Sequence, residues 1–165
     1  MYIYLASRSE PERSIIEAEC EALTGAIPNR EGIAIKEGDF QNGDKRNPLD
    51  ITRSAYLKMC VKVLLQVSSL SELYDQLEIM QIHSEQFRVS VEKTKKAIDI
   101  DSHSVMTEVG ARIIGSPDLS DPKSIFLVIV SEEKIWFGEL ISKSLNTWNR
   151  HSQKPHQYSS SLPTR

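Results

Sequence analysis

Between Ala55 and Val67 a hydrophobic side chain falls on every odd position. Ala55, Leu57, Met59, Val61, Val63, Leu65 and Val67 alternate with Tyr56, Lys58, Cys60, Lys62, Leu64 and Gln66. A period of two sustained this long specifies a strand with one face on a core and the other in water. A one-sided strand of that length calls for antiparallel neighbours. So apolar a run also has a helical reading, which periodicity alone leaves open.

The neighbours are in the preceding sequence. Tyr2 to Ala6 is a short apolar run that suits a buried strand, and Gly32 to Lys36 (GIAIK) suits another. Between them Ser9 stands three residues before Glu12 with Pro11 in the first turn, a capping-box start for a helix. Ile16, Cys20 and Leu23 mark the buried face of that helix, and Gly25 is its stop. Phe40 to Pro48 (FQNGDKRNP) holds Asn-Gly, Gly-Asp and Asn-Pro steps and reads as a loop. Residues 1–67 therefore read strand, helix, strand, loop, strand, an α+β layer with helix on one sheet face.

A second unit, residues 68–143, opens with a capping box at Ser69 and Glu72 and a helix on Leu70, Leu73, Leu77 and Met80. Phe87, Val89 and Val91 then alternate with Arg88, Ser90 and Glu92 as a half-buried strand, and Lys93, Lys95 and Lys96 follow at its end. Asp101, Ser102 or Ser104 can cap the next helix, whose apolar stripe is Val105, Met106, Val109, Ile113 and Ile114, with Gly115 and Pro117 as its stop. Gly110 sits inside it at a cost of roughly 1 kcal/mol against Ala and leaves room for another backbone. Ile125 to Val130 and Ile135 to Leu140 form a hairpin across Ser131 to Lys134. Trp136 and Phe137 fall on opposite faces of it, one packed and one open to solvent. Residues 144–165 carry two prolines, many serines and no apolar period, and read as an extended linker.

Charge places any polyanion site in the second half. The net charge is −3, but residues 1–86 hold nine Lys and Arg against fourteen acids, and residues 87–165 hold eleven against nine. Three lysines ahead of a helix N-terminus make either a phosphate seat or a solvated turn. In the tail Trp148, Arg150, His151, Lys154, His156, Tyr158 and Arg165 interleave bases with aromatics. That mixture suits stacking on unpaired bases, or else belongs to a disordered tail. Catalytic motifs are missing: no HExxH, paired CxxC, GxSxG, P-loop or glycine-rich dinucleotide turn occurs, and no nucleophile–base pair stands out. His103 reads as a surface residue beside a cap, and His151 and His156 have no third ligand near them for a metal. Cys20 and Cys60 have neither metal-ligand nor disulfide spacing, which points to a reducing compartment. The start MYIYLAS is not a basic leader, and no run reaches the ~20 apolar residues of a membrane span, so a soluble cytoplasmic protein is expected.

The order of these pieces resembles a known family. A helix over 69–80, then FRVSVEKTKK, a helix with EVGARI, a PD-x-x-x-P segment at Pro117, Asp118 and Pro122, a FLVIV strand and a closing IWFGELI strand resemble the THUMP domain of tRNA-modifying enzymes. The resemblance implies a ferredoxin-like N-terminal domain over 1–67, a THUMP domain over 68–143 and a linker beyond. The run RHSQKPHQYSSSLPTR is similar to the linker of archaeal tRNA guanosine methyltransferases that act on N2 of the guanosine at tRNA position ten. By that likeness a Rossmann-like methyltransferase domain using S-adenosylmethionine follows the linker. The cofactor-binding glycines and the Asp-Pro-Pro-Tyr motif of such a domain are not in these residues, so no catalytic centre and no cofactor are expected here. The chain is expected to be the N-terminal part of such an enzyme rather than a free-standing adaptor.

The resemblance assigns binding of the single-stranded 3′ end of tRNA to Arg88, Lys93, Lys95, Lys96, the region of Gly110, and Arg112, with Trp148, Arg150 and Lys154 added from the linker. Arg112 has a second reading, an ion pair with Glu108 one helical turn away. Two other functions stay open: a THUMP module serving a thiouridine or pseudouridine synthase, and a protein-binding adaptor that docks partners on the long apolar strand.

Overall fold

The computed structural model describes residues 1–38, 48–94 and 99–145. Its elements are β1 (Tyr2–Ala6), α1 (Arg13–Thr24), β2 (Ile33–Lys36), β3 (Leu57–Val67), α2 (Leu70–Met80), β4 (His83–Lys93), α3 (Ser102–Ala111), β5 (Ile114–Pro117), β6 (Ser124–Val130) and β7 (Ile135–Lys143). The class is α+β. All seven strands lie in one mixed sheet of order β2-β1-β3-β7-β6-β4-β5. β4 pairs in parallel with β5 and β6, and every other pairing is antiparallel. The sheet runs unbroken across both sequence units through the pairing of β3 with β7. No helix is long and apolar enough to cross a membrane.

The long alternating segment is a strand, but it does not keep one face. Leu5 pairs with Met59 and Ala6 with Leu57, so Lys58 is an extra residue, and a second shift lies between Val63 and Leu65. Each bulge reverses which face the odd residues occupy. Leu57 packs with Tyr4, Cys20 and Cys60 near α1. Met59, Val61 and Val63 pack with Ile3, Ile33 and Trp136 on the reverse face, and Leu65 and Val67 return to the face beneath α2 and α3. The expected wet face is interrupted: Lys58, Lys62 and Gln66 are exposed, but Cys60 is buried and Leu64 half-buried. Two covered faces also bury both aromatics of β7, where one was expected to be open. Phe137 stacks on Phe126 at 5.6 Å under the helices, and Trp136 on the other face donates its indole N–H to Gln66 Oε1 at 3.2 Å. β3 lies between β1 and β7 and offers no free edge, so it cannot serve as a docking edge for a partner.

The reverse face is covered by curling rather than by helices. β2 and β6 are four places apart in the sheet, roughly 19 Å if it were flat at about 4.8 Å per strand. Yet the Glu132 N–H just past β6 donates to Glu31 Oε1 just before β2 at 3.2 Å. Ile3, Ile33, Val61, Leu127, Ile129 and Trp136 are all buried in the hollow this makes.

Helix ends follow the sequence unevenly. Ser69 accepts the Glu72 N–H at 3.2 Å and Glu72 accepts the Ser68 N–H at 2.9 Å, a reciprocal cap. Ser9 makes no such cap: Glu10–Glu12 is a 3-10 turn, and α1 proper starts at Arg13. Gly25 closes α1 as expected. The third helix ends at Ala111, short of the expected stop. Ile114, counted with its apolar stripe, is instead 48% exposed and opens β5, with Gly115 and Pro117 in that strand. Three residues cannot make another turn of buried stripe once the Ile114 N–H has gone to the Ile82 carbonyl at 2.8 Å.

One side chain of α1 fixes the start of β3. The Glu19 carboxylate accepts from Ser54 Oγ at 2.6 Å, the Ala55 N–H at 2.9 Å and the Tyr56 N–H at 3.0 Å. Glu19→Ala removes an anion that holds three donors at once. It should cost about 2 kcal/mol by urea unfolding, with Glu19→Gln intermediate. Equal stability of the alanine variant and the parent would contradict the clamp.

Candidate nucleic-acid interface

The junction of β4 with α3 is built by strand parity and by one cap. Phe87, Val89 and Val91 point into the core beneath the helices, so Lys93 continues on that side and Arg88 lies on the reverse face, paired in register with Ile125. Lys93 Nζ donates to the Ile100 carbonyl at 2.7 Å, which closes the loop between strand and helix. An ammonium carries three donors, so two remain. Of the three possible caps the helix uses Asp101. Its carboxylate accepts the His103 N–H at 3.1 Å and the Ser104 hydroxyl at 2.8 Å. These bonds hold the Asp101 carboxyl below the usual carboxylate range. The helix N-terminus thus already faces an anion, and a phosphate near it would rely on the lysines.

The other expected residues divide clearly. Lys95, Lys96, Trp148, Arg150 and Lys154 lie outside the described residues. Arg112 takes up its ion-pair reading: Nη1 is 2.7 Å from Glu108 Oε2, Nε is 3.2 Å from Glu78 Oε1, and the guanidinium lies 4.8 Å from the Tyr74 ring centroid. The Glu108 bond raises its pKa further. Gly110 makes no close approach to another backbone, since a Cβ there would meet only the Phe87 ring, at 3.9 Å. Arg88 is half-buried, and its Nε lacks a hydrogen-bond partner among the described residues. Parity therefore separates Arg88 from Lys93, and Arg112 is committed to two carboxylates.

A second surface, on the reverse face, is built from both units. Where β1 and β4 both end, the curl of the sheet leaves a cleft of about 170 Å³. Leu5, Ile33, Met59 and Ile129 line it, with Arg8, Lys58 and Lys93, and with Glu31, Glu92 and Thr94. Arg8 and Lys58 belong to the acidic half of the sequence, where charge balance placed no polyanion site. Nothing local marked them; only the closure of the sheet brings them to the end of β4.

No protein-family model matches the sequence, and no curated protein matches it. Solved structures do. The chain aligns over 87% of its length with a 4-thiouridine synthetase crystallised with RNA and ATP, at 18% identity and a TM-score of 0.55, covering 42% of that chain. It aligns over 92% with TrmN from Thermus thermophilus at 14% identity and 0.61, covering 49% of that chain. It aligns over 87% with PH1313 from Pyrococcus horikoshii Ot3 at 16% identity and 0.56, covering 55%. What these proteins share with the chain is the fold. The chain spans about half the length of each.

Proposed function

We propose that the chain is an RNA-binding module that holds tRNA by its unpaired acceptor end and presents it for base modification elsewhere in the enzyme. Residues 1–67 would be a ferredoxin-like unit, 68–143 the THUMP unit and 144–165 the linker. The catalytic partner would be a tRNA guanosine N2-methyltransferase domain that supplies S-adenosylmethionine chemistry. The observation that carries the reading is the fold match to a 4-thiouridine synthetase solved with RNA, in a chain whose Lys93 ends β4 just ahead of α3. A net charge of −3 does not oppose it, since unpaired strands need only a local positive track and surfaces to stack on. Lys93, Lys95 and Lys96 would contact phosphates, with Trp148, Arg150 and Lys154 continuing the track.

The test is tRNA affinity against salt. Each phosphate contact on a single strand should contribute about 0.7 to the log–log salt slope. Reversing Lys93, Lys95 and Lys96 to Glu should lower affinity at least roughly tenfold near 0.1 M salt, for all tRNAs alike, and flatten the slope. Lys134→Glu, on the exposed β6–β7 turn, is the control and should change little. A triple variant that binds as tightly as its parent would end the proposal. Removing the unpaired 3′ nucleotides should cost as much as the reversals; a blunt acceptor bound equally well would exclude the acceptor end as the contact.

A further inference from the structure

We propose that the first unit fixes where the chain leaves the sheet, so that a catalytic domain joined through the linker works at a set reach from the bound RNA. The anchor is residues 49–58, braced by Glu19 of α1. The consequence for catalysis rests on the tRNA-binding reading; the role it gives residues 1–67 is not part of that reading. β7 belongs to the second unit by sequence, yet its end is held by the first. Its paired register with β6 runs from Ile135 to Glu139, whereas β3 pairs with it on to Lys143. The hold continues past both strands. The Ser144 N–H donates to the Lys58 carbonyl at 2.9 Å, and the Leu145 N–H to the Thr52 carbonyl at 3.0 Å.

A bulge aims the side chains that complete this hold. Leu140 pairs with Val61 and Ser142 with Cys60, so Ile141 is the extra residue and Ser142 shares the face of Cys60, toward α1. There its hydroxyl accepts the Ile51 N–H at 3.2 Å and donates to the Leu49 carbonyl. The Ser144 hydroxyl donates to the Ser54 carbonyl at 2.9 Å. These bonds end on a segment that is itself fastened. Ser54, Ala55 and Tyr56 supply the donors gathered by Glu19, and the Leu57 N–H donates to Ser54 Oγ at 2.9 Å. Asp50 accepts the N–H and the hydroxyl of Thr52 at 3.1 and 2.7 Å. A run of hydrogen bonds therefore leads from α1 to Leu145, which is 78% exposed and brings the chain to the surface at this point. Fraying of residues 140–145 would shift that exit by up to about 20 Å, at ~3.3 Å per residue. A tethered domain works at a concentration set by the span its tether must cover, so the place of the exit governs delivery.

Amide hydrogen exchange and single-turnover kinetics test the anchor. In the parent the amides of Ser144 and Leu145 should be protected. Ser142→Ala with Ser144→Ala should speed exchange at both positions at least roughly tenfold, while Phe137 in the middle of β7 stays as protected as before. In the full-length enzyme the same pair should leave tRNA affinity unchanged and slow the modification of already bound tRNA at least roughly threefold. Ser142→Thr with Ser144→Thr keeps both hydroxyls and should restore exchange and rate together. A merely structural role would move the exchange and leave the rate on bound tRNA alone. Free exchange of the Leu145 amide in the parent would overturn the anchor, as would an alanine pair that changes neither exchange nor rate, or exchange without rate. If tRNA does not bind at all, the tRNA reading falls, while protection at Leu145 that the alanine pair removes upholds the first unit's grip on the exit.

Discussion

Gly138→Ala should unfasten the two halves of the sheet, at a cost of about 3 kcal/mol or more by urea unfolding. Gly138 sits in β7 opposite Val63, next to the second bulge of β3. A Cβ there would lie 2.3 Å from the Lys62 carbonyl oxygen and 2.7 Å from Val61 Cγ1. Relief would require β3 to move, and β3 is held on its other side by β1, with Tyr2 in register with Lys62. Among the described residues the β3–β7 ladder is the only strand pairing that joins β1, β2 and β3 to the other four strands. The strain therefore falls on the one seam that joins the two parts of the sheet. An alanine variant with the parent's unfolding midpoint would show that the strands are not so close.

The same seam shows where the sequence was legible and where it was not. Elements that carry their own instructions were plain. The reciprocal cap at Ser69 and Glu72, the stripe of Leu73 and Leu77, and the β6–β7 hairpin all follow from neighbours within a turn or two. Bulges have no such signature. The odd positions from Leu57 to Val67 are uniformly apolar, and apolar clusters lie on both sheet faces, so hydrophobicity cannot say which face each one meets. β5 was invisible for the opposite reason: four exposed residues, IGSP, carry no apolar pattern and pair only because Ile82 and Ser84 present a free edge. The site divides likewise. Lys93 could be read from its place at the end of a strand, while Arg8 and Lys58 come near the end of β4 only through contacts between distant parts of the chain. Arg112 had two readings from its spacing to Glu108, and Glu78 and Tyr74, which no local pattern links to it, complete the ion-pair one.

Alkaline pH should undo the first unit before the second. Tyr4, Cys20 and Cys60 are fully buried in one cluster against α1, and none of them is ionised at neutral pH. Burial pushes the Cys60 thiol up to about 11, raises the Cys20 thiol, and raises the Tyr4 phenol, which the neighbouring Cys60 raises further. The folded state therefore keeps its protons longer than the unfolded chain does. Below pH ~8.5, where an unfolded thiol is still protonated, their full contribution is present. As pH rises past that point the unfolded chain ionises first, and stability falls by about 1.4 kcal/mol per pH unit per group until the folded group ionises too. For Cys60 alone the loss between pH 9 and 11 is about 2–3 kcal/mol. Tyr4 adds to it above pH ~10, since a phenolate can no longer donate to the Pro48 carbonyl, 2.9 Å away. The melting temperature should be level from pH 7 to 8.5 and then drop steeply. Cys60→Ala should begin lower, because it leaves a small cavity, but descend with a visibly shallower slope. Both thiols should resist a thiol-specific reagent at pH 8 and react together as the first unit opens. Rapid labelling of either cysteine in the folded protein at pH 8, or a melting temperature unchanged up to pH 11, would mean that the cluster is not sealed against water.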